Sequence, residues 1–202
     1  MLLNIDCRTL STNISYDYVL TSPPDPETDY WEGNDYSNYL ESCYKLLTPT
    51  KAVTIITRDR KKDGFWFSKA DISKNILEKY GFHLSDHNIW THTEKDKEKP
   101  SFYNIQTFSK IPIKTYNNDI LIFKRDTCYS YNSLPVALAE WCINTFSIEN
   151  DTIYDLFMGS GTVAVAAKLC NRNYLGTEIN KTAWTISKNR LNTIFYNSRK
   201  NI

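Results

Sequence analysis

The sequence predicts an α/β fold built on a mostly parallel sheet with helices on both faces. Short β-prone runs alternate with amphipathic stretches along most of the chain, which favours parallel strands joined by helices. One pair of runs has no helix between its members, so one antiparallel strand near a sheet edge is also expected. Two turns of ligand-binding type directly follow β-prone runs, where open α/β sheets bind their ligands.

Seven runs are predicted strands, and five stretches with apolar residues at helical spacing are predicted helices. The strands are Leu2–Ile5, Tyr16–Leu20, Ala52–Thr57, His83–Trp90, Ile120–Phe123, Thr152–Phe157 and Tyr174–Gly176. The helices are Tyr36–Leu47, Ile72–Tyr80, Pro135–Phe146, Thr162–Leu169 and Thr182–Phe195. The polar stretch Glu94–Asn118 is predicted to be a long exposed loop, which would join His83–Thr93 and Ile120–Phe123 as a hairpin.

Length and charge limit the classes of protein to which the chain can belong. With 202 residues, of which 41% are hydrophobic, residues 1–202 are expected to form a single domain around one core. The 24 basic and 23 acidic residues nearly cancel, so any attraction to nucleic acid must be local. Neither a signal peptide nor a run of membrane-spanning length is evident, which predicts a soluble cytoplasmic protein without a membrane partner.

Cysteines and histidines give no sign of a metal site or a disulfide framework. The five cysteines are scattered without a Cys-x-x-Cys pair, so free thiols are expected. His83, His87 and His92 lie close together, but their spacing puts them on mixed faces of a predicted strand. No bound metal is therefore predicted.

A glycine-rich loop, Asp155-Leu156-Phe157-Met158-Gly159-Ser160-Gly161-Thr162, lies between a predicted strand and a predicted helix. Its glycines allow a tight turn and a close backbone approach to a ligand, and Thr162 can begin the helix. The loop lacks the lysine-containing cradle of nucleoside triphosphate sites. Glu178 follows the next strand, where an acid can accept hydrogen bonds from ribose hydroxyls. The alternative, an ordinary glycine turn and a solvated acid, is less favoured because the two features occur together.

The second ligand-type turn is Thr21-Ser22-Pro23-Pro24-Asp25. Its prolines fix backbone φ angles, so the Ser22 hydroxyl and the Pro23 carbonyl form a stiff pair of acceptors. The amino group of cytosine or adenine is a poor nucleophile because its lone pair is delocalised into the ring. Accepting hydrogen bonds from its two N–H groups would favour a pyramidal nitrogen aimed at an electrophilic methyl group. Ser-Pro-Pro is common, however, and a proline-stiffened loop without chemistry is the alternative.

The two motifs, in this order, resemble those of the amino-directed DNA methyltransferases. The closest pattern is the permuted group, in which the catalytic tetrapeptide precedes the S-adenosylmethionine loop. Ser22-Pro23-Pro24 matches the first three positions of the family's Ser/Asp/Asn-Pro-Pro-aromatic tetrapeptide. The glycine loop matches the family's Asp-Pro-Phe-x-Gly-Ser-Gly-Thr except at Leu156. The resemblance extends over nearly the whole chain, from Leu2 to Asn192.

This resemblance implies a Rossmann-like, seven-stranded methyltransferase fold that binds S-adenosylmethionine and releases S-adenosylhomocysteine. The catalytic residues that it implies are Ser22, Pro23, Pro24 and Asp25. The cofactor-binding residues that it implies are Asp6, Leu134, Pro135, Asp155, Phe157, Gly159, Ser160, Gly161, Thr162, Glu178 and Ile179.

Two features depart from the family's pattern. Asp25 stands where the family has an aromatic residue that stacks on a base extruded from the duplex. Tyr30 or Trp31 could supply that ring from the following loop, or could pack in the core. Between Arg125 and Leu134 there is also too little chain for a separate target-recognition domain. Sequence discrimination is therefore expected to be weak or to come from elsewhere.

The candidates for nucleic-acid contact are Arg58, Arg60, Lys61 and Lys62, which precede the aromatic run Phe65–Phe67, and the lysines of Glu94–Asn118. Basic residues beside aromatic ones can hold phosphates and stack on unpaired bases. The alternatives are a solvated charged surface and burial of the aromatic rings in the core.

The predicted activity is methylation of an exocyclic amino group in DNA, with cytosine N4 preferred. In the family that the chain resembles, serine at the first tetrapeptide position is associated with cytosine, and Asp or Asn with adenine. Methylation at cytosine C5 is not expected, because no Pro-Cys segment supplies a nucleophile. Three alternatives stay open: adenine-N6 methylation of DNA, amino-methylation of RNA, and a non-catalytic nucleic-acid-binding subunit of a methyltransferase complex. The oligomeric state is also open, with a homodimer as one option.

Overall fold

The computed structural model describes residues 1–11, 13–25, 36–62, 64–91, 102–115, 119–124 and 134–200, with the side chains of all of these except 62 and 194–200. The strands found there are β1 (Leu2–Leu3), β2 (Tyr18–Thr21), β3 (Ala52–Thr57), β4 (Arg60–Lys62), β5 (Phe65–Phe67), β6 (His83–Thr91), β7 (Phe102–Ser109), β8 (Ile120–Ile122), β9 (Thr152–Asp155) and β10 (Asn173–Thr177). The α-helices are α1 (Tyr36–Tyr44), α2 (Lys69–Lys79), α3 (Val136–Phe146), α4 (Thr162–Leu169) and α5 (Lys181–Lys200). All seven predicted strands and all five predicted helices are present, with shifted ends at most of them.

Eight strands form one sheet in the order β1-β10-β9-β2-β3-β7-β6-β8. Neighbouring strands are parallel except at β7, which is antiparallel to both β3 and β6. The expected mostly parallel sheet with one antiparallel strand near an edge is thus confirmed. The strand count is eight rather than the expected seven, because β7 adds to the seven strands predicted from the sequence. The remaining two strands, β4 and β5, form a separate antiparallel hairpin.

The prediction of a long exposed loop over Glu94–Asn118 is wrong for residues 102–109, whereas the described residues 110–115 have no regular secondary structure. Phe102–Ser109 is strand β7, and its last six residues are buried in the sheet. Its polar side chains have partners: Thr107 shares a hydrogen bond with Thr54 at 2.7 Å, and the Asn104 amide donates to Asp59 at 3.1 Å. Polar residues are tolerated in a buried strand when they are hydrogen-bonded in this way. Composition therefore indicated a loop where tertiary contacts make a strand.

The predicted hairpin between His83–Thr93 and Ile120–Phe123 is also wrong. β6 and β8 pair in parallel, with Ile89 opposite Ile120 and Thr91 opposite Ile122. The antiparallel partner of β6 is β7, which supplies the reversal of direction that the missing helix suggested. β8 is the edge strand.

Helices cover both faces of the sheet. On one face Val53 and Ile55 pack in a core cluster with residues of α1 and α2. On the other, Ala52 and Ile56 pack with residues of α3 and α4. This division follows from the alternation of side chains along β3, which is buried at every position. Each fully buried Leu or Ile stabilises the fold by roughly 1.5–3 kcal/mol.

The parallel strands bring four chain segments to one edge of the sheet. β1, β10, β9 and β2 are consecutive neighbours, and their carboxyl ends point the same way. The segment after β1, the glycine loop after β9, Glu178 after β10 and the proline turn after β2 therefore converge. The predicted ligand edge of the sheet is where the strand order places it.

Candidate active site

The proline turn and the glycine loop meet at a buried hydrogen bond. The Thr21 hydroxyl, at the end of β2, donates to Asp155 Oδ1 at 2.7 Å, at the end of the neighbouring strand β9. The Phe157 N–H donates to the same oxygen at 3.2 Å. Two motifs separated by more than a hundred residues are thus fixed against each other through one carboxylate.

Burial raises the pKa of Asp155 to about 7. The hydrogen bonds from Thr21 and Phe157 act in the opposite direction, and the nearby carboxylate of Glu178 adds to the increase. A buried acid whose pKa lies near neutral pH responds strongly to any charge placed beside it.

The glycine loop has a backbone that other residues could not easily adopt. Gly159 and Gly161 have φ angles of +52° and +81°. A Cβ on Gly161 would lie 2.7 Å from the Cβ of Ser187, so α5 packs directly on the loop. From the same helix, the buried Arg190 donates to the Thr162 hydroxyl at 3.0 Å. The loop is held from behind while its other side faces a cavity.

Glu178 bridges the glycine loop and the start of α5. Its carboxylate accepts hydrogen bonds from the N–H of Gly159 at 2.8 Å and from the N–H of Asn180 at 2.7 Å. Nearby, the Asn4 side chain donates to the backbone carbonyls of Glu178 and Ile179. Each carboxylate oxygen retains acceptor capacity toward a ligand, because an ionised carboxylate can accept about four hydrogen bonds.

Two cavities open on this edge of the sheet. The cofactor cavity, of about 250 Å³, is lined by predicted cofactor residues, namely Asp6, Phe157, Gly159, Glu178 and Ile179, and by Ile5, Cys7, Arg8, Tyr39 and Leu156. The acceptor cavity, of about 300 Å³, is lined by the predicted catalytic residues Ser22, Pro23, Pro24 and Asp25 together with Leu134, Asp155, Ser160 and Thr162. Ser22, Pro24, Phe157 and Gly159 line both cavities, so the two spaces adjoin there.

The Ser22 hydroxyl is oriented by the neighbouring strand. It donates to the backbone carbonyl of Ile56, in β3, at 2.9 Å. Because the hydroxyl proton is used there, the oxygen presents lone pairs to other groups that approach it. Ser22 is therefore preset as a hydrogen-bond acceptor at the junction of the cavities.

Asp25, the residue in the aromatic position, takes part in two ion pairs. Lys69 Nζ lies 2.6 Å from its carboxylate and Arg60 Nη2 lies 3.2 Å from it. The Lys69 side chain, at the start of α2, is only 5% exposed. Lys69 also lines the acceptor cavity, so an ion pair rather than a ring forms this part of its wall.

Arg58 and Tyr103, with the buried Trp90 behind them, form another part of the wall of the acceptor cavity. The rings of Trp90 and Tyr103 are stacked with centroids 4.3 Å apart, and the Arg58 guanidinium lies over the Tyr103 ring at 5.9 Å. Tyr103 and Arg58 both line the cavity. Of the predicted nucleic-acid residues whose side chains the structure describes, Arg58 lines the acceptor cavity.

Some predicted residues lie away from the cavities. Pro135 precedes α3 as its cap and Gly161 caps α4, and neither is among the residues that line these two cavities, unlike their neighbours Leu134 and Thr162. Lys61 is exposed on β4, and Lys62 ends that strand. Tyr30 and Trp31 lie outside the described residues, as does His92. Of the aromatic run, Phe65 and Trp66 are exposed rather than part of the core.

The sequence interpretation missed Lys69 and Tyr103 as residues of the site. A lysine at the start of a helix usually has its charged group in solvent, and no local pattern marks Lys69 as buried. Tyr103 lies in the segment interpreted as a loop. The alternation of Tyr103, Ile105 and Thr107 with Phe102, Asn104 and Gln106 is a weak signal that could have indicated a strand.

Within the described parts of the chain, no group of three or more His, Cys, Asp or Glu residues is placed to hold a metal ion. The cysteines described there, Cys7, Cys43, Cys142 and Cys170, are free thiols. None of the helices in the described ranges is both long and apolar enough to cross a membrane.

Comparisons with known proteins agree with this arrangement. The model of the N6/N4 "DNA methylase" family matches residues 96–189. The orphan methyltransferase M.BamHII of Bacillus amyloliquefaciens is 51% identical over 57 residues, which are 28% of this chain and 22% of that protein. The type II methyltransferase M.HpaI of Haemophilus parainfluenzae is 26% identical over 225 residues, covering 90% of this chain and 69% of that protein.

The fold has a counterpart among solved structures. The crystal structure of the M1.HpyAVI–SAM complex superposes with a TM-score of 0.71 at 21% identity, covering 94% of this chain and 98% of that one. This likeness establishes the Rossmann-like methyltransferase fold that the sequence predicted. The family model, the curated relatives and the motif order agree in their likeness to the N6/N4 family of DNA methylases.

Proposed function

We propose that this chain transfers a methyl group from S-adenosylmethionine to the exocyclic amino group of a DNA base, with cytosine N4 as the preferred acceptor. The observation that carries the proposal is the Ser22 hydroxyl, which is preset as an acceptor where the two cavities adjoin. The likeness to the N6/N4 family of DNA methylases supports DNA as the substrate.

The residues around the cofactor cavity suit S-adenosylmethionine. At Gly159 a Cβ would have no heavy-atom contact closer than 4.0 Å, so a side chain there would extend into open space beside the cavities. The Glu178 carboxylate can accept hydrogen bonds from ribose hydroxyls, and Leu156, Phe157 and Ile179 offer apolar surface to a purine ring. Asp155, which lines the adjoining acceptor cavity, has a pKa raised to about 7, so a cationic ligand beside it would favour its ionised form.

When bound, S-adenosylmethionine supplies a methyl group activated by a sulfonium sulfur. Ser22 Oγ and the Pro23 carbonyl accept hydrogen bonds from the two N–H groups of the base, which favours a pyramidal nitrogen with a localised lone pair. Transfer would form the N–C bond as the S–C bond to the methyl group breaks, leaving a neutral thioether, and one N–H proton of the resulting cationic nitrogen would then leave to solvent. The chain contributes through positioning and fixed dipoles, without a covalent enzyme intermediate.

The Trp90–Tyr103–Arg58 stack is our candidate for the surface on which the base lies. Arginine planes and aromatic rings both stack on unpaired bases. The stack would replace the aromatic residue absent at Asp25, whose carboxylate is held by Lys69 and Arg60. Arg60, Lys61 and Lys62 would contact DNA phosphates. Tyr30 and Trp31 remain sequence predictions for the same role.

Ser22 also supports the preference for cytosine, because serine at this position goes with cytosine in the family pattern given above. Adenine N6 carries the same type of amino group, and RNA offers both bases. These acceptors, and a non-catalytic role in a methyltransferase complex, are the outcomes that the experiment must separate.

The test is to incubate the purified protein with tritiated S-adenosylmethionine and either PCR-amplified DNA, which carries no modification, or transcribed RNA. The products are hydrolysed and the methylated nucleoside is identified by mass spectrometry. We expect N4-methylcytosine from DNA. N6-methyladenine would overturn the base preference, and labelled RNA alone would overturn the substrate. Cofactor binding by calorimetry without product from any substrate would indicate the non-catalytic role.

A further inference from the structure

The β4–β5 hairpin carries two large aromatic side chains in solvent. Phe65 is 80% exposed and Trp66 is 58% exposed. They follow Gly64, whose φ of +83° suits a tight turn, so both rings lie at or next to the hairpin tip. Exposing adjacent aromatic rings is unfavourable in water, and such apolar patches typically mark a binding surface.

The base of this hairpin is fixed. The Asp59 carboxylate accepts hydrogen bonds from the N–H groups of Lys69 and Ala70 at 2.8 and 3.1 Å and from the Ser68 hydroxyl at 3.0 Å. Since Asp59 precedes β4 and Ser68 follows β5, these bonds close the hairpin across its ends. Phe67 packs on the buried Tyr36, with ring centroids 5.9 Å apart. A rigid base with an exposed aromatic tip is suited to insertion into a partner.

The hairpin stands beside the acceptor cavity. Arg60, its first residue, pairs with Asp25 at 3.2 Å, and Asp25 lines that cavity. Each strand has three residues, which at about 3.3 Å per residue gives a reach of about 10 Å from the cavity wall to the aromatic tip.

Charge identifies the partner as polyanionic. Arg58 and Arg60 lie just before and within β4, and Lys61 lies directly opposite Trp66 in the hairpin register. Asp25 and Asp59 lie at the hairpin base, and Asp63, which falls between Lys62 and Gly64 in the sequence, lies outside the described residues. Lys61 and the two rings are exposed. Basic and aromatic residues together match the phosphates and stacked bases of DNA.

We propose that the β4–β5 hairpin inserts Phe65 or Trp66 into duplex DNA at the place from which the target base is extruded. The inference rests on the proposed function, because a base must leave the duplex before its amino group can reach Ser22. Apolar side chains that enter a base step offset part of the cost of unstacking. The hairpin thereby performs a task that an additional domain would otherwise serve.

The test compares methyl transfer to native and heat-denatured samples of the same PCR-amplified DNA. Denatured DNA needs little base extrusion. Methyl transfer to it therefore measures the chemical step without the insertion of the hairpin. For Phe65→Ala and Trp66→Ala we expect the initial rate on native DNA to fall about tenfold, and the rate on denatured DNA to stay within about twofold. Trp66→Phe keeps a ring and should restore most of the rate on native DNA.

Ile148→Ala is the matched control, because Ile148 is 66% exposed and lies just before β9, at the opposite end of the sheet. It should change neither rate. Equal losses of rate on both DNA samples, or no loss on either, would overturn the proposed insertion. The proposal would also be overturned if the variants convert a dimer to a monomer in size-exclusion chromatography while the ratio of the rates on native and denatured DNA stays unchanged. A wild-type protein that is inactive on both samples would instead refute the proposed function, and with it the proposed insertion of the hairpin.

Discussion

The cofactor side and the acceptor side of the site are built in different ways. On the cofactor side, the glycine loop and Glu178 belong to one βαβ unit, and the Glu178 carboxylate accepts hydrogen bonds from backbone N–H groups. On the acceptor side, Ser22, Arg58, Lys69 and Tyr103 come from four separate elements and meet through side chains and ion pairs. The first side depends on local backbone geometry and the second on tertiary packing.

This difference indicates which side can vary. A backbone cradle with left-handed glycines tolerates few substitutions, because another residue at Gly161 would collide with Ser187. Asp25 and Lys69 lie outside the strands of the sheet and contact each other through their side chains. We therefore expect the methyl donor to be common to relatives and the grip on the acceptor to be particular to this chain.

Ser22→Ala tests the acceptor side and should have the largest effect. Loss of the oriented oxygen leaves one N–H of the base without an acceptor, so kcat should fall by about 100-fold or more, as for other single fixed dipoles. The affinity for S-adenosylmethionine, measured by calorimetry, should change by no more than about threefold because Glu178 and the glycine loop are intact.

Ser42→Ala is a suitable control for this variant. Ser42 lies in α1 and its hydroxyl donates to the Tyr39 carbonyl within the same helix, at 2.6 Å. Its kcat should match that of the wild type. If Ser22→Ala weakened cofactor binding as much as turnover, the division between the two sides would not hold.

Glu178→Ala tests the cofactor side. The variant loses the acceptor for ribose hydroxyls and leaves the N–H groups of Gly159 and Asn180 without their partner. We expect the Kd for S-adenosylmethionine to rise about 10- to 50-fold, the range for a charged hydrogen-bond acceptor. The rate at saturating cofactor should fall far less. Glu149→Ala, which removes an exposed acid at the other end of the sheet, should leave the Kd unchanged; an equal rise would remove Glu178 from the site.

The cofactor side was largely predictable from the sequence. Gly159, Gly161 and Glu178 have the residue types that their local geometry requires, so the spacing of strand, loop and acid identifies them. The same applies to β3, whose run of β-branched residues is buried on both faces. In these segments local preference and tertiary environment agree.

The acceptor side could not be predicted to the same extent. Lys69 is buried against Asp25, which pairs with its charge but lies 44 positions away in the chain. β7 is a strand only because Asn104 and Thr107 find hydrogen-bond partners on neighbouring segments. No short window of sequence contains such pairings, and the polar composition of β7 argued against burial.

Asp155 joins the two sides through its hydrogen bonds. Its titration tests this connection, and the expected effect is smaller than those of Ser22→Ala and Glu178→Ala. The folded protein holds the Asp155 proton up to about pH 7, because burial raises the pKa of this carboxyl, whereas an aspartic acid in the unfolded chain releases its proton near pH 3.8. Between these values the folded state binds more protons than the unfolded state. The free energy of unfolding of the wild type therefore loses up to about 1.4 kcal/mol per pH unit as pH rises through this window.

Asp155→Asn removes this proton but keeps an oxygen that can accept from Thr21 and Phe157. Urea unfolding should therefore show the variant gaining about 1.5 kcal/mol relative to the wild type between about pH 5.5 and 7. Asp71→Asn, which changes an exposed acid on α2, should show no such gain. A constant difference between Asp155→Asn and the wild type over this range would mean that Asp155 is ionised throughout. The hydrogen bond from Thr21 would then connect the proline turn to a carboxylate that is charged over this whole pH range. That negative charge would act on the acceptor side at every pH in the range.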